Sequence, residues 1–366
     1  MKDLLYKIAL TKIPLVGAVT AKNLVSYCGG VREVFEAREK ELLKIPGVGS
    51  QLAINILSKT ALEEAEKELL FLEQNEITPF FYLDKNFPQR LRQLYDAPIL
   101  LYYRGTATLN PRRAVAIVGT RTPSQRGAGI CEDLVEGLAS FNPLIISGLA
   151  YGIDVTAHKA SLRKGLETVA VLGHGLSQIY PPQHRKVALE MIQHGGLLTE
   201  FTHETGPDRE HFPMRNRIVA GLCDALIVVE SAAKGGSLIT VQQANSYNRE
   251  VFAVPGRATD KFSQGCNFLI KNNLGRLVES AQDVARAMRW KETDGVERKS
   301  FQAELFPDLT DREKQLLDLI QKEEEIGIDQ IGYQLNIANS ELAATLLNLE
   351  FKGLVRSLPG KRYVLS

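Results

Sequence analysis

Runs of Val, Ile and Leu recur through the middle of the chain, and each stops on small or charged residues. Val115-Ala116-Ile117-Val118 ends on Gly119-Thr120-Arg121. Leu144-Ile145-Ile146 ends on Ser147-Gly148-Leu149-Ala150-Tyr151-Gly152. Val169-Ala170-Val171-Leu172 ends on Gly173-His174-Gly175, and Ala225-Leu226-Ile227-Val228-Val229 leads to Glu230 and then Lys234-Gly235-Gly236-Ser237. A further run, Val251-Phe252-Ala253-Val254, ends on Pro255-Gly256-Arg257. The runs are continuous rather than alternating, as strands covered on both faces require. Helix-length segments separate them, which predicts an α/β fold with an extended, Rossmann-like, doubly wound parallel sheet. Phe80–Leu83, Ile99–Tyr103 and Leu197–Glu200 add shorter strands, so residues 77–290 are taken as one α/β domain. Ligands of such sheets bind beyond the carboxyl ends of the strands. Here those ends carry Gly, Ser, Thr, Arg and Lys, the residue types that capture phosphate.

Residues 1–76 have a helical pattern containing a repeat. Ile13-Pro14-Leu15-Val16-Gly17 aligns with Ile45-Pro46-Gly47-Val48-Gly49, each followed by an apolar residue at helical spacing, Leu24 and Ile56. The pattern resembles tandem helix-hairpin-helix (SAM-like) motifs, in which glycines allow a tight turn and the next helix offers its amides to a phosphate. Leu15 replaces a glycine in the first copy, so a phosphate grip is expected only of the second. The alternative is a helical bundle that keeps the motif for packing. Residues 62–76, rich in Glu, predict a solvated helix face with i,i+4 pairs. At the other end, 291–308 reads as a charged linker. Residues 309–366 predict a winged-helix-like domain: a capping box at Thr310 and Glu313, helices over Asp329–Leu335 and Ser340–Phe351, and a hairpin from Val355 to Leu365. The third helix starts Asn339-Ser340-Glu341, with few cations, which favours protein contact over duplex reading.

Composition narrows the partners. A chain of 366 residues with 44% hydrophobic content has room for two or three domains, and its formal net charge of +1 restricts any nucleic-acid site to a local patch. The four cysteines are scattered without a CxxC, as free thiols in a reducing compartment would be. No run approaches the roughly 20 apolar residues of a membrane span, and the opening Met1–Tyr6 has no signal-peptide pattern. A cytoplasmic protein is expected.

Several chemistries are excluded or weakened by spacing. Gly119-Thr120-Arg121 is not GxGxxG, and in Lys234–Ser237 the lysine precedes the glycines, so neither a dinucleotide fingerprint nor a Walker loop is present. An arginine can instead hold phosphate through two parallel hydrogen bonds, and the amides of Gly235 to Ser237 with Lys234 beside them form an anion nest. Ser147, Asp154 and His158 offer a nucleophile–acid–base trio on paper, but the serine lies in no GxSxG elbow. His203, Glu210 and His211 fit none of the usual zinc spacings. No metal, cofactor or catalytic residue is assigned. Phe262 lies where it can either stack on a base or pack inward.

Taken together, the Val115–Arg121 run, Ser147–Asp154 with Ala157-His158, Tyr180-Pro181-Pro182, His211-Phe212-Pro213 with Arg215-Asn216-Arg217, Lys234–Thr240 and Val254–Arg257 resemble the DNA-processing protein A family (DprA, also called Smf). The resemblance implies a dimeric single-stranded DNA-binding protein without turnover. It would protect incoming strands and load the RecA recombinase during natural transformation. By position it makes Arg121 and Lys234 the phosphate-gripping cations, with Gly119, Ser147, Gly148, Tyr151, Arg215, Gly235, Gly236, Ser237 and Arg257 also at the DNA. The alternative is a nucleotide hydrolase of the phosphoribohydrolase type, which the domain distantly resembles. That chemistry wants a glutamate after the glycine turn, and here Val241-Gln242-Gln243 follows. An adaptor acting through the tail alone is a third possibility.

Overall fold

The computed structural model describes residues 2–58, 60–291, 309–323, 325–335, 337, 339–358 and 362–365; most of the expected linker lies outside them. Two compact units are present, Met1–Asp294 and Gly295–Ser366.

The first unit is built on a nine-stranded sheet. In chain order its strands are β1 (Thr78–Phe81), β2 (Leu100–Gly105), β3 (Ala114–Val118), β4 (Leu144–Ser147), β5 (Thr168–Val171), β6 (Gly195–Thr199), β7 (Ala225–Val228), β8 (Glu250–Ala253) and β9 (Arg276–Leu277). In space the order is β1-β2-β6-β5-β4-β3-β7-β8-β9. Strands β3 to β9 are parallel, and β1 and β2 extend the β6 edge in antiparallel pairing. The expected doubly wound sheet is therefore present. Its residues bury on alternate faces. Ala116, Val118, Ile146, Val171, Leu226 and Val228 face one core with the helices His211–Leu222 and Ser237–Ser246. Val115, Ile117, Ile145, Ala225 and Ile227 face the other, with Gln125–Leu138 and Ile153–Arg163. The chain leaves β3 toward β4, β5 and β6, then returns to lay β7 on the opposite flank of β3. The tips of β3 and β7 thus bound the crevice where the winding reverses.

The helical N-terminal region shares a core with this sheet. Phe81, Leu100 and Tyr102 of β1 and β2 pack with Ile8, Leu10, Leu24, Ile56 and Leu72. The repeat is visible in the backbone: Gly17 and Gly49 precede the helices Ala18–Cys28 and Ser50–Leu57 with φ −86° and −91°. Leu15 adopts φ 70° where Gly47 has φ 85°, so both copies make the same left-handed turn. The leucine does this with its side chain 72% exposed. The charged segment is the helix Thr60–Gln74, and its expected solvated face needs a correction. Glu68 is buried, accepting from the His203 amide at 3.0 Å and standing 2.8 Å from its Nδ1, while the imidazole stacks on Phe71 with ring centroids 4.3 Å apart. This contact ties the helical region to the loop between β6 and the helix His211–Leu222.

In the second unit, Glu313 accepts from the Thr310 amide at 2.8 Å and the Glu313 amide donates to the Thr310 hydroxyl, closing the predicted capping box. Helices Asp311–Glu323, Ile328–Leu335 and Asn339–Phe351 pack with a sheet of β10 (Ile326–Gly327), β11 (Val355–Leu358) and β12 (Arg362–Leu365), in the order β10-β12-β11. The expected winged helix is present, with helix starts one residue earlier than predicted. The side chains of Asn339 and Ser340 and the hairpin tip at 359–361 lie outside the described residues.

Candidate nucleic-acid interface

The crevice between β3 and β7 is framed by turns that leave no room for side chains. A Cβ on Gly119 would stand 2.6 Å from Ile153 Cγ1, and one on Gly152, whose φ is 79°, would stand 2.2 Å from the Thr120 carbonyl oxygen. The Thr120 amide donates to the Glu230 carbonyl at 2.7 Å, and the Ile153 amide donates to the Thr120 carbonyl. Glu230 in turn accepts from the Ser124 amide and hydroxyl at 2.9 and 2.6 Å, fastening the β7 tip to the helix after β3. These contacts hold the backbone around Arg121 while its side chain stays exposed over the Phe212 ring, 5.4 Å from the centroid. Such cation–π geometry suits a guanidinium held ready for an anion.

Across the crevice, Lys234 is exposed on the loop after β7. A Cβ on Gly235 would stand 2.5 Å from Ser231 Oγ, and the Ser237 hydroxyl donates to that same oxygen at 2.9 Å. Ser237 is therefore a turn-shaping residue whose side chain is buried. Among the described residues the Gly236 and Ser237 amides donate to no other group, leaving them at the start of the helix Ser237–Ser246 beside Lys234.

Ser147, Gly148 and Arg215, also expected at the DNA, lie beneath the surface as Ser237 does. Ser147 is fully buried and its hydroxyl donates to the Ile117 carbonyl at 2.6 Å, bridging β4 to β3. Arg215 is 4% exposed, and its Nη1 donates to the Gly148 carbonyl at 2.5 Å and to the Val171 carbonyl. A Cβ on Gly148 would stand 2.5 Å from that guanidinium, which explains the glycine. Burial lowers the Arg215 pKa to about 10, with Asp154 opposing and Arg121 adding to the shift. Arg215 remains charged at neutral pH and reinforces the positive field from below, without reaching a ligand. Tyr151, 42% exposed, does face solvent; its hydroxyl donates to Gln183 Oε1 at 2.7 Å and its ring meets His184 edge-on. Tyr180, 44% exposed, stands 6.2 Å from Phe212. The residue pattern alone gave no reason to single out Phe212 or Tyr180 as aromatic surface, although both lie in segments that carry the family resemblance. Phe262 is half-buried, and its carbonyl accepts from the Ser231 amide.

The trio is not assembled. His158 Nδ1 lies 2.7 Å from the Thr168 hydroxyl, which donates to Ile145, and the Ser147 hydroxyl points to Ile117. Burial, with Arg215 and His184 adding, pushes the His158 pKa down to about 3. Of the imagined metal ligands, His203 is held by Glu68 and His211 packs on Phe201. The depressed His158 carries a stability prediction. Its folded pKa lies below the unfolded value of about 6.5, so the unfolded chain binds the proton first. Stability is full above pH 6.5 and falls as pH drops toward about 3, by an amount approaching 5 kcal/mol for this group alone. Denaturant unfolding at stepped pH should show the loss, and His158→Gln should flatten it.

With this geometry established, comparison with known proteins decides the family. Residues 78–289 match the family described as DNA recombination-mediator protein A, residues 302–361 its winged helix domain, and residues 7–64 a SAM-like helix-hairpin-helix tandem. The chain belongs to the DprA/Smf family. It is 31% identical to Protein Smf of Synechocystis, over 98% of both chains, and 42% identical to DNA processing protein DprA of Streptococcus pneumoniae over 58% of this chain and 74% of that one. The solved DprA of S. pneumoniae superposes with a TM-score of 0.66 at 34% identity, over 80% of this chain and 100% of that one. A DprA from Helicobacter pylori, described for its single-stranded DNA binding mode, gives 0.54 at 28% identity, over 59% and 98% of the two chains. Membership places the chain among proteins that process DNA in recombination. Among the described residues no helix is long and apolar enough to cross a membrane.

Proposed function

We propose that the chain binds single-stranded DNA at the β3–β7 crevice, without turnover, as a homodimer that protects incoming strands and passes them to the RecA recombinase in natural transformation. One observation carries the binding site: Arg121 and Lys234 lie exposed on the turns after the two strands that flank the winding reversal, with free amides beside Lys234. A patch of this kind lets a chain of net charge +1 hold a polyanion. Contact with the backbone alone tolerates sequence, and the exposed rings of Tyr151 and Tyr180 offer faces on which bases can stack. Against a hydrolase, the helix Ser237–Ser246 has Gln242 and Gln243 where a carboxylate would act, and amides do not take up a proton. For the dimer, β9 is the open edge of the sheet, with Leu274 and Leu277 exposed at 41% and 49%. Two crevices in one particle would raise the effective concentration for a long strand.

Fluorescence titration with labelled oligo-dT and with duplex DNA tests the reading. Tighter binding to the single strand, weakening as salt rises, is the expected result. Equal affinity for duplex would contradict it.

A further inference from the structure

A hollow of ≈ 420 Å³ lies one strand beyond the crevice, lined by Arg126, Pro255, Gly256 and Arg257. Arg126 sits in the first turn of the helix Gln125–Leu138 that follows β3, and Arg257 on the turn that follows β8. Both are exposed, and among the described residues neither guanidinium has a carboxylate partner. The nearby Glu230 is engaged with the Ser124 amide and hydroxyl. The floor of the hollow is fixed rather than slack. Asn267 clamps Gly256 in both directions, its Nδ2 donating to the Gly256 carbonyl at 3.0 Å and its Oδ1 accepting from the Gly256 amide at 3.2 Å. A Cβ on Gly256 would stand 1.9 Å from Ser263 Oγ, so only glycine fits.

Two unpaired guanidiniums facing one preformed hollow suit an oxyanion with several oxygens, since each presents a planar fork of donors. The tips of β3, β7 and β8 are neighbours in the sheet, about 5 Å apart. We infer that this hollow holds a second backbone phosphate of the same strand, so that the DNA runs across the sheet from the β3–β7 crevice toward β8. This rests on the proposed single-strand function and adds to it a direction of travel and a role for Arg126.

The test compares the dinucleotide dTpdT, whose single phosphate can fill only one of the two places, with oligo-dT of about 16 nucleotides on the full chain. In the R126A/R257A double variant, affinity for the longer strand should fall about tenfold, and its salt slope should become shallower by about 0.7, the loss of one phosphate contact. Affinity for the shorter strand should change less than about twofold, since the crevice alone accommodates it. Asn267→Ala, which removes the clamp but no charge, should weaken only the longer strand too. Unchanged long-strand binding in the double variant overturns the inference, as does an equal loss for both lengths, which would make the hollow part of a single site. Inorganic phosphate supplies the remaining arm. If it raises the melting temperature of the wild type but not of the double variant, while long-strand affinity stays the same, the hollow serves a free anion and the inference fails. Failure of the wild type to bind either oligonucleotide would instead defeat the proposed function itself.

Discussion

Replacing Arg121 and Lys234 by alanine, singly, should lower single-strand affinity by about 10- to 100-fold each, the weight of a charge-assisted hydrogen bond of roughly 1.5–3 kcal/mol. Both side chains are exposed and neither supports the core, so the melting temperature should move by no more than about 2 °C. Arg121 is the more informative. Its fixed perch over Phe212 means that Arg121→Lys keeps the charge but loses the fork and its stacking. That variant should recover only part of the affinity. The measurement is fluorescence anisotropy at several salt concentrations, paired with a thermal melt. Full binding by a folded R121A/K234A protein would remove the crevice from the mechanism.

Arg215→Met should behave in the opposite way. It deletes a buried cation that donates to the Gly148 and Val171 carbonyls and leaves Asp154 buried without its compensating charge. Leaving two buried carbonyls without this donor costs about 1–3 kcal/mol each, which for a unit of this size lowers the melting temperature by roughly 10 °C. DNA affinity, measured well below the new transition, should fall far less than for Arg121→Ala. A stable R215M protein with strongly impaired binding would return Arg215 to the DNA and contradict its burial. Asp154 helps to explain the direction. Burial raises its pKa and Arg215 lowers it, so removing the arginine favours the protonated acid and part of the cost is recovered by proton uptake at low pH.

The contrast between these two arginines shows what the residues disclosed. Strand positions were readable because continuous Val/Ile/Leu runs leave few alternatives, and the cations at their tips were readable because the fold class fixes where ligands sit. Ser147 stands beside an equally suggestive glycine and Arg215 in an Arg-Asn-Arg run, but nothing local says whether a polar side chain points outward or down to a carbonyl on a neighbouring strand. That depends on pairing partners dozens of residues away, as Ser147 with Ile117 shows. Glu68 is the same problem in a helix. Its neighbours Glu63, Glu64, Glu66 and Lys67 make a convincing wet face, while the partner that draws it inside, His203, lies 135 positions later. Phe212 stood in a segment that carries the family resemblance and Arg126 in none, and the significance of both depends on what they face: a guanidinium for one and a hollow for the other.

The shared packing of the first helices with Phe81, Leu100 and Tyr102 has a practical consequence for anyone trimming this protein. A fragment starting near residue 77 would carry an uncovered oily wall along two strands and lose the carboxylate that steadies His203. Such a piece invites precipitation, and poor DNA capture by it would say little about the crevice. Expression boundaries belong after residue 291, beyond the helices that pack on β1 and β2 and the last residues of the first unit's core.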